Sequence, residues 1–163
     1  MMLMDDATWR RHANPLSVYS RFTILPLLTL AIWSYDWIGG WCVPFIALAL
    51  FWNWYNPRAF KAVDTISGWA SEGVIGERIY LKRQENNVRL GHVRAIHILS
   101  TCTALAAIIW LWGLWTHDLP TTLWSLTLTM LFKTWAFDRM VWIYRESKEN
   151  GISSTNTKQL HNR

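Results

Sequence analysis

Two long apolar blocks constrain the fold of this chain more than any other feature of its sequence. They extend from Phe22 to Tyr55 and from Ala95 to Phe137, with polar sequence on both sides. A helix needs ~20 apolar residues to cross a bilayer, so each block is long enough for two crossings. Each block is also interrupted near its middle, at Asp36 to Gly40 in the first and at Thr116 to Asp118 in the second. We therefore expect each block to form a hairpin of two transmembrane helices.

The predicted fold class is all-α: a membrane-embedded four-helix protein with two transmembrane hairpins and an interfacial amphipathic cytoplasmic segment between them. That segment, 56–94, carries apolar residues mostly at three- and four-residue steps, which is typical of a helix lying in the membrane interface. The tail, 150–163, is rich in Asn, Ser and Thr and is predicted to be disordered. The rest, 1–149, forms one integral membrane domain with spans at about 18–35, 38–55, 95–115 and 120–137.

Aromatic and basic residues predict how these helices are placed. The chain has 13 tryptophans, and indole favours the boundary between hydrocarbon and headgroups. Of its 16 lysines and arginines, three precede or begin the first span, seven lie in the middle segment and six lie from Lys133 onward, while neither hairpin turn contains any. The positive-inside rule then predicts a multi-pass protein of the cell membrane, with the N-terminus, middle segment and C-terminus in the cytoplasm.

The sequence predicts no cofactor and no metal site. Five histidines are scattered, and His92 and His97 lie about 140° apart around a helix, so they would not face one ligand. No motif of a hydrolase or a nucleotide-binding loop is present. The basic residues follow the predicted topology and do not form a groove-sized patch, so nucleic acid is not an expected partner.

Small and hydroxyl side chains on the last two predicted spans favour close packing with each other or with a partner helix. Lys133 continues this stripe one or two turns inside the inner boundary. There it either snorkels to water or meets a buried partner such as Asp138 or Glu77, or an ion or anionic group. The stripe consists of Ser100, Thr103, Ala104 and Ala107 on the third span and Thr122, Ser125 and Thr129 on the fourth.

Three polar strings at the predicted cytoplasmic boundary carry the residues best suited to chemistry. They are Trp9 to Ser17, Trp52 to Phe60, and Gly76 to Leu81. Their Asn-Pro pairs are commonly found at helix ends and turns, whereas Asn53, in the last turn of a span, should find a partner in the bundle or in headgroup water. Candidate ligands for an anionic headgroup are Arg11, His12, Asn14, Asn53, Asn56, Arg58, Glu77 and Arg78.

The same three strings carry a resemblance to a known family. W-x-R-H-x-N-P-x-S, W-N-x-x-N-P and G-E-R-x-Y-L together resemble a family of small prokaryotic integral membrane proteins known only as a domain of unknown function. The resemblance covers about Thr8 to Glu146. It implies a membrane-embedded fold and no established activity, so it assigns no catalytic residue.

Three functions stay open at this point. The leading one is a non-catalytic accessory or scaffolding subunit, because packing signals outnumber chemical ones, and it would work as a homo-oligomer or within a larger membrane complex. The alternative is an enzyme that modifies a lipid or headgroup at the cytoplasmic face, and the third is a small transporter or channel subunit. The partners expected are the lipid bilayer, anionic headgroups among it, and other membrane helices.

Overall fold

The computed structural model describes the backbone of residues 6–161 and the side chains of residues 7–151. This part of the chain is 83% helical and contains no strand, which confirms the all-α class. A short 3-10 turn, Gly39–Trp41, joins the fourth and fifth helices. The helices are α1 (Asp6–His12), α2 (Pro15–Phe22), α3 (Ile24–Trp33), α4 (Tyr35–Ile38), α5 (Cys42–Ala59), α6 (Trp69–Leu81), α7 (Leu90–Trp115) and α8 (Leu119–His161).

The first apolar block forms α2 to α5. Asn14 caps α2 by accepting a hydrogen bond from the Leu16 backbone N–H (3.0 Å), and Pro15 follows as the first helical residue, where its missing donor costs nothing. The chain reverses at Gly39, whose φ of +54° is a backbone conformation that glycine adopts easily. After this turn, α5 runs back along α3 and α2.

The second apolar block forms the pair α7 and α8. A turn over Thr116 to Asp118 joins them, and the Asp118 carboxylate accepts a hydrogen bond from the Thr121 N–H at the start of α8 (3.1 Å). The two helices run antiparallel, since Gly113 lies against Thr122 near the turn and His92 pairs with Glu146 at the far end (3.0 Å).

The middle segment is only partly helical. Its predicted apolar stripe begins with Phe60, Val63 and Ile66, which lie in the irregular stretch before α6. The later members of the stripe, Trp69, Ala70 and Val74, lie on α6 itself. The irregular stretch is attached to α1 by a hydrogen bond from the Val63 N–H to the Arg10 carbonyl (3.2 Å). Helix α6 packs on α8 and on α1 and α2, so much of its apolar face is covered by protein.

Helix α8 extends well beyond its predicted span. The span was expected to end near residue 137, but the helix continues through the polar C-terminal sequence to His161. The predicted disorder of 150–163 stays a prediction, because the side chains of residues 152–163 lie outside the described part of the chain.

The surface of this structure is more apolar than that of a typical water-soluble protein. Among the residues whose side chains are described, many large apolar side chains are exposed, including Trp41, Leu48 and Trp115, the last at 83%, while eighteen apolar and seven polar residues are buried. Two helical segments, 15–59 and 90–115, are long and apolar enough to cross a membrane by length and composition alone. The buried polar residues are Ser17, Thr29, Asn56, Ser71, Thr122, Ser125 and Thr129.

Candidate functional site

A buried polar junction joins the N-terminal helices to the end of α5. The amide of Asn56 is fully buried: its Oδ1 accepts from the Ser17 hydroxyl (2.8 Å), and its Nδ2 donates to the Ser20 hydroxyl oxygen (2.6 Å). Because both ends of the amide have protein partners, the junction satisfies polar groups that would otherwise be costly to bury. Asn56 therefore connects α5 to α2.

Asn14 likewise joins separate segments of the chain through its side-chain amide. Besides capping α2 through its Oδ1, it donates from Nδ2 to the Lys61 carbonyl (3.1 Å) and so holds the chain after α5. Nearby, the buried Ser71 hydroxyl donates to the Ala13 carbonyl (2.7 Å) and attaches α6 to the same junction. Both amides thus have hydrogen-bond partners within the chain, and the anion-binding role that the sequence suggested for them stays a prediction.

Of the remaining headgroup candidates of the first two strings, only His12 is partly buried. Arg11, Asn53 and Arg58 are exposed. The Arg58 guanidinium lies over the Trp54 ring, 4.2 Å from its centroid, and donates to the carbonyl of that residue. In the third string, Arg78 is half-buried. The contrast within α5 was not foreseen, because the sequence favoured Asn53 over Asn56 as the partnered amide.

His12 is half-buried at the end of α1. Its Nδ1 lies 3.0 Å from the Thr8 carbonyl oxygen, so this nitrogen carries the hydrogen. Burial lowers the pKa of His12 below its ordinary value, and the charges of Arg21 and Arg58 lower it further against the opposing effect of the Thr8 hydrogen bond. Burial thus favours the neutral form of the imidazole.

A cavity of about 500 Å³ lies between the two helix pairs and against α6. Three charged side chains reach it from three different helices: Arg21 from α2, Glu77 from α6 and Lys133 from α8. Its polar lining is completed by the hydroxyls of Ser100, Thr103 and Thr129, and its apolar walls consist of Val18, Phe22, Leu25, Val74, Ala136, Phe137 and Met140.

This cavity unites residues that the sequence placed in separate groups. Glu77 was a headgroup candidate, Lys133 was an isolated intramembrane charge, and Thr129 was a packing residue. Arg21 was missed as a site residue, because it was counted only as an orientation signal. Its position inside the predicted span 18–35 was the available clue, since basic residues within a span usually have a functional or structural partner.

Arg21 is held rigidly at the cavity wall. Its Nε donates to the Ser17 carbonyl (3.0 Å) and its Nη2 donates to the His12 carbonyl (2.8 Å). Two bonds from one planar guanidinium fix both the position and the plane of the group. The neighbouring polar junction thus orients Arg21 as well as joining helices.

Glu77 and Lys133 are arranged differently. Within the described residues, neither side chain has a hydrogen bond. Glu77 also forms no ion pair within 4.0 Å with Lys133 or with Arg21. Burial raises the pKa of the Glu77 carboxyl, against the lowering effect of the two nearby cations. Two cations and one carboxylate leave the ionised cavity with an excess positive charge.

Asp138, the other partner suggested for Lys133, is engaged elsewhere. Its two carboxylate oxygens accept hydrogen bonds from the indole N–H groups of Trp69 (2.9 Å) and Trp142 (3.2 Å). The bond to Trp69 joins α6 to α8. It also supports an aromatic cluster in which the ring centroids of Trp69 and Phe137 lie 4.8 Å apart. The structure thus favours Glu77 over Asp138 as the acidic residue that shares the surroundings of Lys133.

The predicted packing stripe divides between the two helices. Thr122, Ser125 and Thr129 on α8 are buried, and each hydroxyl donates to a carbonyl of its own helix or of the turn before it. On α7, Thr103 and Ala107 are half-buried, whereas Ser100 and Ala104 are exposed. The stripe on α8 therefore packs inside the chain, and part of the stripe on α7 faces outward.

Comparison with known proteins identifies the family but no activity. The chain belongs to a family of unknown function (DUF6653), which matches residues 2–161. The resemblance to an uncharacterised family inferred from the sequence is thereby confirmed. No curated protein and no solved structure matches the chain.

Proposed function

We propose that this member of the family is a multi-pass membrane protein with four transmembrane segments, arranged as two hairpins, that serves as a non-catalytic accessory or scaffolding subunit. The observation that carries the proposal is the apolar outer surface. Polar groups such as Asn56 and Thr122 lie fully inside, while large apolar side chains cover the outer surface. Such a surface is stable in lipid and would be an aggregation hazard in water.

The positions of the turns support an orientation with both termini in the cytoplasm. His117 Nδ1 and Asp36 Oδ2 lie 3.3 Å apart, so the turn after α3 and the turn after α7 share one end of the molecule. Neither turn contains a lysine or arginine. The basic residues gather at the opposite end, around α1, α6 and the C-terminal half of α8, which the positive-inside rule assigns to the cytoplasm.

The exposed small residues of α7 support a role in assembly. Ser100 and Ala104 are both exposed, but Ser100 lines the cavity, whereas Ala104 lies among exposed large apolar side chains such as Leu105 and Ile108. In lipid, helices associate through close backbone approach, which small side chains permit. A further helix, from another copy or from a different subunit, fits this face.

Substituting Ala104 tests the assembly role. Ala104→Leu should reduce the assembled fraction in mild detergent, because the larger side chain keeps the partner helix away; overpacking commonly costs ~1–3 kcal/mol. Native mass spectrometry of wild type and variant measures the fraction. Ala47→Leu is the matched control, since Ala47 lies on α5, away from the proposed contact face. A wild-type chain that runs alone, or equal effects of the two substitutions, would argue against the subunit role.

The enzyme and transporter alternatives rest on one observation, the charged cavity at Arg21, Glu77 and Lys133. Three measurements distinguish the three functions: mass spectrometry of what co-purifies in mild detergent, an assay for chemical change of a retained lipid, and an uptake assay in vesicles. A protein retained in stoichiometric amount supports the accessory subunit. A lipid that is retained and chemically changed by the purified chain supports the enzyme, and net movement of a solute into vesicles containing the chain supports the transporter.

A further inference from the structure

We propose that the cavity between α2, α6 and α8 is a binding site for the phosphate group of an organic phosphate, held by Arg21 and Lys133, with Glu77 offsetting part of their charge. This assigns the chain a ligand, which a scaffolding role does not require. Three features of the cavity support the site: the fixed geometry of Arg21, the unused donors and the chemistry of the walls.

Arg21 provides a preorganised donor group. Its Nε and Nη2 are committed to the Ser17 and His12 carbonyls, which prevents the side chain from swinging away. The guanidinium has five N–H donors, so these two bonds leave others for a ligand in the cavity that it lines. A fixed guanidinium suits the oxygens of a phosphate, because charge-assisted bonds to such groups are short and strong.

Lys133 and Ser100, both exposed, add donors from α8 and α7. Neither side chain has a hydrogen-bond partner among the described residues, and both line the cavity. The other two hydroxyls differ, because Thr103 donates to the Leu99 carbonyl and Thr129 to the Ser125 carbonyl (2.7 Å each). The unused donors thus come from α2, α7 and α8 and surround a space suited to an anion with several oxygens.

The separation of the charges favours a ligand over a closed salt-bridge network. Glu77 lines the same cavity as Arg21 and Lys133, yet in the described part of the chain it forms no ion pair within 4.0 Å with either of them. Arg21 and Glu77 are half-buried and Lys133 is exposed, so the three charges form no closed network and remain accessible to a ligand. One carboxylate also leaves one positive charge uncompensated, which an anion would neutralise.

The apolar walls indicate that the phosphate carries an apolar group. Val18, Phe22 and Leu25 line one side of the cavity and Phe137 the other. At about 500 Å³ the space falls within the range of small-molecule sites, which are mostly apolar with a few placed polar groups. The ligand is therefore a phosphate ester with an apolar substituent, supplied either by a membrane lipid or by a soluble metabolite.

Binding to the purified full chain in mild detergent tests this site and distinguishes the two sources. The probes are a short-chain phosphatidic acid, phenyl phosphate and inorganic phosphate, each titrated calorimetrically. A lipid source predicts saturable binding of phosphatidic acid well above the other two. A soluble source predicts that phenyl phosphate binds at least as tightly as phosphatidic acid. Absence of saturable binding for all three probes overturns the proposal.

Three variants and one control locate the binding. Arg21→Lys and Lys133→Gln should each weaken binding by about tenfold or more, because hydrogen bonds to charged groups contribute ~1.5–3 kcal/mol, whereas Glu77→Gln should strengthen it by removing the competing negative charge. Lys61→Gln, on an exposed lysine that does not line the cavity, should have no effect. Lys133→Gln keeps the test valid if Arg21→Lys misfolds. Binding unaffected by Lys133→Gln and Glu77→Gln would show that the cavity is not the site, whatever the outcome for assembly through Ala104.

Discussion

Replacing Gly76 by alanine is expected to separate α6 from α8 and to destabilise the fold strongly. A Cβ atom at this position would overlap the carbonyl oxygen of Met140 and lie 2.5 Å from its carbonyl carbon. Both atoms belong to the backbone of α8, so no change of side-chain rotamer relieves the clash. The cost should exceed the ~1–3 kcal/mol typical of overpacking, and it should appear as a large fall in the thermal unfolding temperature in detergent.

Two other glycines provide the comparison for Gly76. At Gly73 an added Cβ would meet the ring of Phe137, which can rotate away, so Gly73→Ala should cost less. At Gly91, in the first turn of α7, nothing lies within 4 Å, and alanine there should be neutral or stabilising by up to ~1 kcal/mol. If Gly76→Ala unfolds at the same temperature as Gly91→Ala, α6 does not pack on α8 as described.

The second large effect is expected for Asn56→Leu. The Ser17 hydroxyl, itself fully buried, donates to the Asn56 side chain, so the substitution leaves a buried donor without its acceptor. Such a loss costs ~1–3 kcal/mol, and the different shape of leucine adds to it. The unfolding temperature of Asn56→Leu should fall clearly below that of the wild type.

Asn53 supplies the control for Asn56, because it is the same residue type one turn earlier on α5 but exposed. Asn53→Leu should change the stability by no more than ~0.5 kcal/mol, as is usual for surface substitutions. Adding Ser17→Ala to Asn56→Leu should recover part of the lost stability, since it removes the unsatisfied hydroxyl. Equal losses for the two leucine variants would contradict the buried junction.

The two apolar blocks were enough to predict the all-α class, and the polar interruptions within them coincide with breaks between helices. The turn at Thr116 to Asp118 was placed correctly, because a short polar interruption of a long apolar run usually marks a turn between two helices. The break at Gly39 was predictable for the same reason. Helix α8 was underestimated because its polar half carries no hydropathy signal, although its charged side chains are compatible with a helix outside lipid.

Side-chain partners were much harder to predict. Asn53 and Asn56 lie one turn apart in similar sequence, and only the packing of α2 against α5 decides which amide is buried. The cavity was not predictable from any local pattern, since Arg21, Glu77 and Lys133 are more than 50 residues apart in sequence and lie on three helices. The close contact at Gly76 depends likewise on the position of Met140, which sequence spacing does not reveal.

The most direct test of the proposed topology is the accessibility of single thiols from the two sides of the membrane. Cys42 and Cys102 are first replaced by alanine, and a cysteine is introduced either at Asp118, in the turn before α8, or at Asn86, in the loop after α6; both positions are exposed. Intact cells are then treated with a membrane-impermeant maleimide. Four spans with cytoplasmic termini predict that Asp118→Cys is labelled at once and Asn86→Cys only after the membrane is permeabilised. Labelling of Asn86→Cys alone, or of both variants in intact cells, would contradict the proposed topology.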